Sequence, residues 1–168
     1  MKQLLVELVA SDTSRHTLTI KEIDAQKLPP KPKFFAARET IEGIDTDGNG
    51  VRDEVEHGLY ELYGENHQLF RASYWTAYQY QSLLISADEK DLIKQGQNDR
   101  EFMILTSCFT LYSGAGIYET GDYSSEIKAL VVNTPERKTA LGRANVWLGK
   151  QRRRAVMASK EECEQYDF

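Results

Sequence analysis

The sequence predicts a mainly α protein, a helical bundle behind an extended N-terminal arm. Three observations carry that expectation. Apolar residues recur at helical spacing almost without interruption after residue 51. Several segments open on residues that cap helix N-termini, namely Asn66, Ser86 and Thr134. Three prolines at 29, 30 and 32 separate a short N-terminal stretch from the rest and favour a polyproline-like linker. At 168 residues, with 40% hydrophobic and 28% charged residues, the chain suits a single globular domain with a sizeable core. The reading divides it into an arm and linker over 1–33 and one helical domain over 34–168.

In the arm, TLTIKEI alternates weakly and reads as a strand or an extended segment. MKQLLVELVA has too short an apolar run, with Glu7 inside it, to read as an export signal. Beyond the linker, VRDEVEHGLYELYG places Val51, Val55, Leu59 and Leu62 on one helical face and stops at Gly64. Asn66 caps the next segment, in which Phe70, Trp75, Tyr78 and Leu83 form a broad apolar face. Ser86 and Glu89 have capping-box spacing ahead of a long helix through Cys108. DYSSEIKALVV reads as a shorter helix. Thr134, Pro135 and Glu136 then supply cap, first residue and dipole-compensating charge for a helix to about Leu148.

Chemistry concentrates in one stretch, IDTDGNGVRDEVE at 44–56. Asp45, Asp47, Asp53, Glu54 and Glu56 crowd together there with only Arg52 to offset them. Such crowding disfavours a compact arrangement unless a cation lies among the carboxylates. Counted from Asp45 as position 1, Asp47 is 3, Asn49 is 5, Gly50 is 6, Val51 is 7, Asp53 is 9 and Glu56 is 12. This is the D-x-[DN]-x-[DN]-G-x5-E spacing of a twelve-residue calcium loop. Calcium is a hard cation that takes six to eight oxygens. Asp45, Asp47 and Asn49 would offer side-chain oxygens, Val51 its carbonyl, Asp53 an oxygen directly or through water, and Glu56 both oxygens. Gly50 permits the backbone reversal. Magnesium, which holds its waters, suits such a cage less well. An Asx-rich turn capping the following helix favours the same residue types and is the alternative.

The stretch 45–56 resembles a solitary EF-hand-like loop. It is similar to the D-x-D-G-[DN]-G-V-x-D loops of bacterial exported proteins, to thrombospondin type 3 repeats and to dockerins. Two departures stand out. Position 8, aliphatic where two EF-hand loops pair, is Arg52, and the proline-rich approach to Gly43 does not read as a long entering helix. With no second loop in the chain, the resemblance implies one unpaired site of structural role. GIDTDGNGVRDEVE, VNTPERKTALGRANVWLGKQ and a Cys near the C-terminus also resemble a family of uncharacterised proteobacterial exported proteins, which implies no particular activity.

Cys108 and Cys163 would pair in an oxidising compartment, closing a loop that contributes about 4 kcal/mol in the chain-entropy account. In the cytosol they would stay free thiols. A Cys close to the C-terminus is well placed to pin a fraying tail, which favours the bond. Residues 137–160 hold eight Lys or Arg and no acid. The acidic remainder opposes nucleic acid as a partner, so these cations read as a solvated face. The aromatic run Phe70, Tyr74, Trp75, Tyr78, Tyr80 reads as core before it reads as a ligand pocket. His57 and Glu61, four apart, lack a third metal ligand, and no catalytic constellation emerges. No apolar run reaches membrane-spanning length.

The functional expectation is a calcium-binding, non-enzymatic protein of the bacterial periplasm or exterior, contacting another protein or an envelope component. An inhibitor or immunity-type protein, an enzyme whose site forms only on folding, and a cytoplasmic location are the rivals.

Overall fold

The computed structural model describes residues 28–88, 92–112, 117–149 and 157–165. Within them it is mainly helical, with no strand among the described residues. TLTIKEI, the first ten residues and KQRRR lie outside the described residues. So does Glu89, and with it half of the capping box read at Ser86. After a 3-10 turn at Ala36–Arg38 come α1 (Asp53–Tyr63), α2 (His67–Ile85), α3 (Leu92–Tyr112), α4 (Ile117–Val131), α5 (Pro135–Gly149) and α6 (Lys160–Glu164).

The caps follow the chemistry expected of them. Asn66 accepts the Leu69 N–H at 3.0 Å and so satisfies one of the orphan donors of α2. Thr134 does the same for Arg137 N at 3.2 Å, one residue before the N-terminal proline of α5. Ser86 differs. It closes α2, and its hydroxyl donates back to Ser82 O at 2.8 Å. α4 starts ahead of DYSSEIKALVV and runs through Gly121, despite a propensity cost of about 1 kcal/mol there. α6 was not anticipated from the sequence, although Ser159 and Glu162 form a complete capping box in front of it.

α2 is the central helix and packs against α1, α3, α4 and α5. Its sequence explains that position, since Arg71 is its one Asp, Glu, Lys or Arg in 19 residues. A helix without a charged face loses little by being covered on several sides. Phe70, Tyr74, Trp75 and Leu84 from α2 meet Leu59, Leu105, Phe109, Ile127 and Val131 in one core. Each large apolar side chain buried this way contributes about 1.5–3 kcal/mol. The aromatic run is thus mainly core, as expected.

α5 is seated by Leu83, Ala144 and Leu148, and α6 by Ile104, Cys108 and Cys163. Cys108 and Cys163 form a disulfide with Cα atoms 5.5 Å apart, both fully buried. The bond ties the last described helix to α3.

Residues 28–44 have no regular structure apart from the 3-10 turn and lie as a strap over α1 and the start of α5. Pro29 O contacts His57 Nε2 at 2.8 Å, and Lys31 pairs with Glu61 at 3.3 Å. His57 and Glu61 thus each contact the strap.

Candidate metal centre

Local side-chain bonding to the backbone shapes the loop at 45–56. Asp45 gathers three backbone N–H groups: Gly48 and Asn49 on Oδ1 at 2.9 and 3.1 Å, and Gly50 on Oδ2 at 2.9 Å. The chain can wrap one carboxylate so tightly because Gly48 and Gly50 adopt φ of 72° and 87°. Gly50 has a second reason to lack a side chain, since a Cβ there would sit 2.5 Å from the Tyr78 ring. Tyr74 Oη reaches Asn49 O at 3.4 Å. Two tyrosines of the central helix thus brace the loop from below.

The candidate ligands divide by burial. Asp45 and Asp47 are exposed, whereas Asn49, Val51, Asp53 and Glu56 are buried. Asn49 joins the two sets. Its Nδ2 donates to Asp47 Oδ2 at 2.9 Å and to Glu56 Oε1 at 2.7 Å, while its Oδ1 accepts the Val51 N–H at 2.8 Å. Asp53 is the first residue of α1, and its carboxylate accepts from Thr46 N and Thr46 Oγ1 at 2.8 and 2.6 Å. The helix begins three residues before Glu56, so Glu56 closes its first turn and Val51 belongs to the loop, not to the helix.

Glu56 is the anomaly. Its residue is 0% exposed and its Oε2 has no hydrogen-bond partner among the described residues. Burial, together with the nearby Asp47, Asp53 and Asp45 carboxylates, pushes its pKa up to about 8 against the Asn49 bond that lowers it. Burial and a hydrogen bond from Asp45 likewise raise Asp47. Leaving a buried carboxylate oxygen unpaired costs about 1–3 kcal/mol or more. Among the described residues no three His, Cys, Asp or Glu side chains already converge as a metal cluster. Asn49 Nδ2 is the donor that separates Asp47 from Glu56, a place that a bound cation would take over. The oxygens present are hard, anionic in part, and include one without a partner, so the donor set fits calcium.

Sequence reasoning missed a charged network beside the loop. Arg52, 1% exposed, donates from Nε to Glu54 Oε1 at 2.7 Å, from Nη1 to Gln81 Oε1, and from Nη2 to Val131 O at 2.7 Å. Arg137, also fully buried, reaches the strap carbonyls of Ala37, Thr40 and Ile41 and lies 3.6 Å from Glu54. Burial and the Arg52 and Arg38 charges push its pKa down to about 10. Nothing in the sequence distinguishes these two arginines from surface ones. The basic segment read as a solvated face therefore contributes a buried anchor at Arg137. Its Arg143 pairs with Asp88 through two bonds of 2.7 and 2.8 Å. Glu54 is not an idle charge either, because it holds Arg52 in place.

A cleft of about 300 Å³ separates the strap from α1, lined by Phe34, Arg38, Glu54, His57, Leu130 and Asn133 among others. Among the described residues no Ser, Thr or Cys lines it. No helix among the described residues is long and apolar enough to cross a membrane.

Comparison with known proteins leaves the site to be read from its own chemistry: no protein-family model, curated protein or solved structure matches the chain.

Proposed function

We propose that this is a calcium-binding, non-enzymatic helical protein of the bacterial periplasm or cell exterior, with the ion in a structural role. The observation that carries the reading is Glu56. A fully buried carboxylate with an unpartnered oxygen, sharing one Asn49 nitrogen with Asp47, is poorly served by protein alone. A divalent cation relieves both the repulsion and the missing bond.

Asp45, Asp47, Asn49, Glu56 and the Val51 carbonyl would hold the ion. Asp53, with both oxygens already accepting from Thr46, suits a ligand acting through water. Because Glu56 sits in the first turn of α1, the ion would tie the loop to a helix whose Val55 and Leu59 are in the core. The buried disulfide supports an oxidising compartment. Extracellular calcium concentrations also suit the modest affinity of a single unpaired loop. A protein or envelope component as partner remains part of the proposal through that compartment.

Thermal melting in chelator and in calcium tests the structural role. At calcium a hundredfold above Kd the expected gain is about 2.7 kcal/mol, a rise of roughly 5 to 11 °C for a chain of this size. Superimposable curves in EDTA and in calcium a hundredfold above Kd would remove the ion from the account of stability.

A further inference from the structure

Arg52 occupies the one loop position that departs from paired EF-hand loops, and the fold gives that departure a use. Its backbone and its side chain act on different parts of the site. The Arg52 carbonyl accepts from Val55 N at 2.8 Å and from Glu56 N at 3.1 Å, so it sets where the Glu56 main chain starts. The guanidinium is spent on three groups from different parts of the fold: the Glu54 carboxylate, the Gln81 side chain on α2, and the Val131 carbonyl at the end of α4. Gln81 in turn donates to Glu42 O at 3.1 Å, just ahead of the loop. Room for this is made at Gly43, with φ of 68°, where a Cβ would meet Arg52 Cδ at 2.1 Å. Gln81 thereby fastens to α2 both Arg52, within the loop, and Glu42, just ahead of it.

We propose that Arg52 is a positioning residue for the calcium loop, docking a solitary loop on α2 and α4 as a second loop braces a paired one. The inference rests on the calcium reading above. It concerns preorganisation, since a loop held in place before the ion arrives loses less freedom on binding. Lysine cannot substitute, because a single ammonium does not span three acceptors in a fixed planar fork.

The sign of the effect separates positioning from simple electrostatics. Arg52 is a cation beside an anionic site, so as a mere neighbouring charge it would weaken calcium binding, and removing it would tighten binding. Positioning demands the reverse. Loss of groups that orient metal ligands weakens affinity by about 10–100-fold.

Calorimetric titration of calcium chloride into EDTA-stripped protein provides the test, on wild type, Arg52→Met, Arg52→Lys, Gln81→Ala and Leu105→Ala. Arg52→Met and Arg52→Lys should both bind about tenfold or more weakly. Gln81→Ala, which keeps the charge and removes one anchor, should also weaken binding, by less. Leu105→Ala hollows the core on α3 and should lower the melting temperature without changing affinity while the protein remains folded. Arg52→Met that binds as tightly as wild type, or tighter, overturns the inference. So does Leu105→Ala with the same loss of affinity. If Arg52→Met does not fold, unchanged affinity in both Arg52→Lys and Gln81→Ala overturns it equally. A wild-type chain that takes up no calcium refutes the underlying calcium reading, whereas wild-type binding with unaffected variants refutes this inference alone.

Discussion

Glu56→Gln should abolish calcium-dependent stabilisation and at the same time raise the melting temperature of the chelated protein. The two effects have one cause. The carboxylate is fully buried, one of its oxygens is unpartnered, and Asp45, Asp47 and Asp53 lie near it. A carboxamide has nearly the same shape, no charge to desolvate and an N–H2 that can donate towards those acids. With calcium present the same change removes the ligand expected to supply two oxygens.

The pH dependence of the chelated protein follows with a definite sign. The folded pKa of Glu56 is about 8, above its ordinary 4.5. Between these values the folded chain holds a proton that the unfolded chain has released. Stability from this group is therefore greatest below about pH 4.5 and declines as pH rises to about 8, by up to about 1.4 kcal/mol per pH unit. Melting temperatures in EDTA at pH 5, 6, 7 and 8 should fall for the wild type and stay nearly level for Glu56→Gln. A wild-type profile as flat as that of the variant would show that Glu56 is not the strained group.

Replacing Cys108 and Cys163 together by Ser should cost about 4 kcal/mol, because the bond closes a loop across a sequence separation of 55. Two hydroxyls in the apolar cluster with Ile104 add to that cost. The five-residue α6 is too short to persist alone, so the loss should begin there. Amide exchange checks this. Residues 157–165 should lose protection first, with α1 and α2 retaining theirs. A melting temperature within a degree of wild type would mean that the bond contributes nothing beyond the packing around it.

How much of this was legible in the sequence depends on the kind of signal. Asn66, Gly64 and the Thr134-Pro135 pair announce helix boundaries through local chemistry, and the boundaries fall where that chemistry puts them. The near absence of charge in α2 foretells a buried helix, though not that it would be the central one. The loop's spacing singles out Asp45 to Glu56, but it does not reveal that Asn49 bridges Asp47 to Glu56, which is a matter of three-dimensional closure. Arg52 and Arg137 were invisible for a plain reason. Arginine is seldom fully buried, and its burial here depends on acceptors from 29 to 100 residues away, at Gln81, Val131 and Ala37. Glu54 shows the converse. In the loop spacing, counted from Asp45, Glu54 falls at position 10, which is not a ligand position. Its bond to Arg52 means that Glu54→Gln disturbs the loop's anchor as well.

The most direct measurement is the calcium stoichiometry of the EDTA-stripped chain by titration calorimetry. The account predicts saturable binding of one ion per chain, with a Kd of order 10⁻⁴ to 10⁻³ M as in weak extracellular modules, and no binding in Glu56→Gln. Absence of saturable binding up to about 10 mM calcium, well above that range, or binding undiminished in Glu56→Gln, would contradict it.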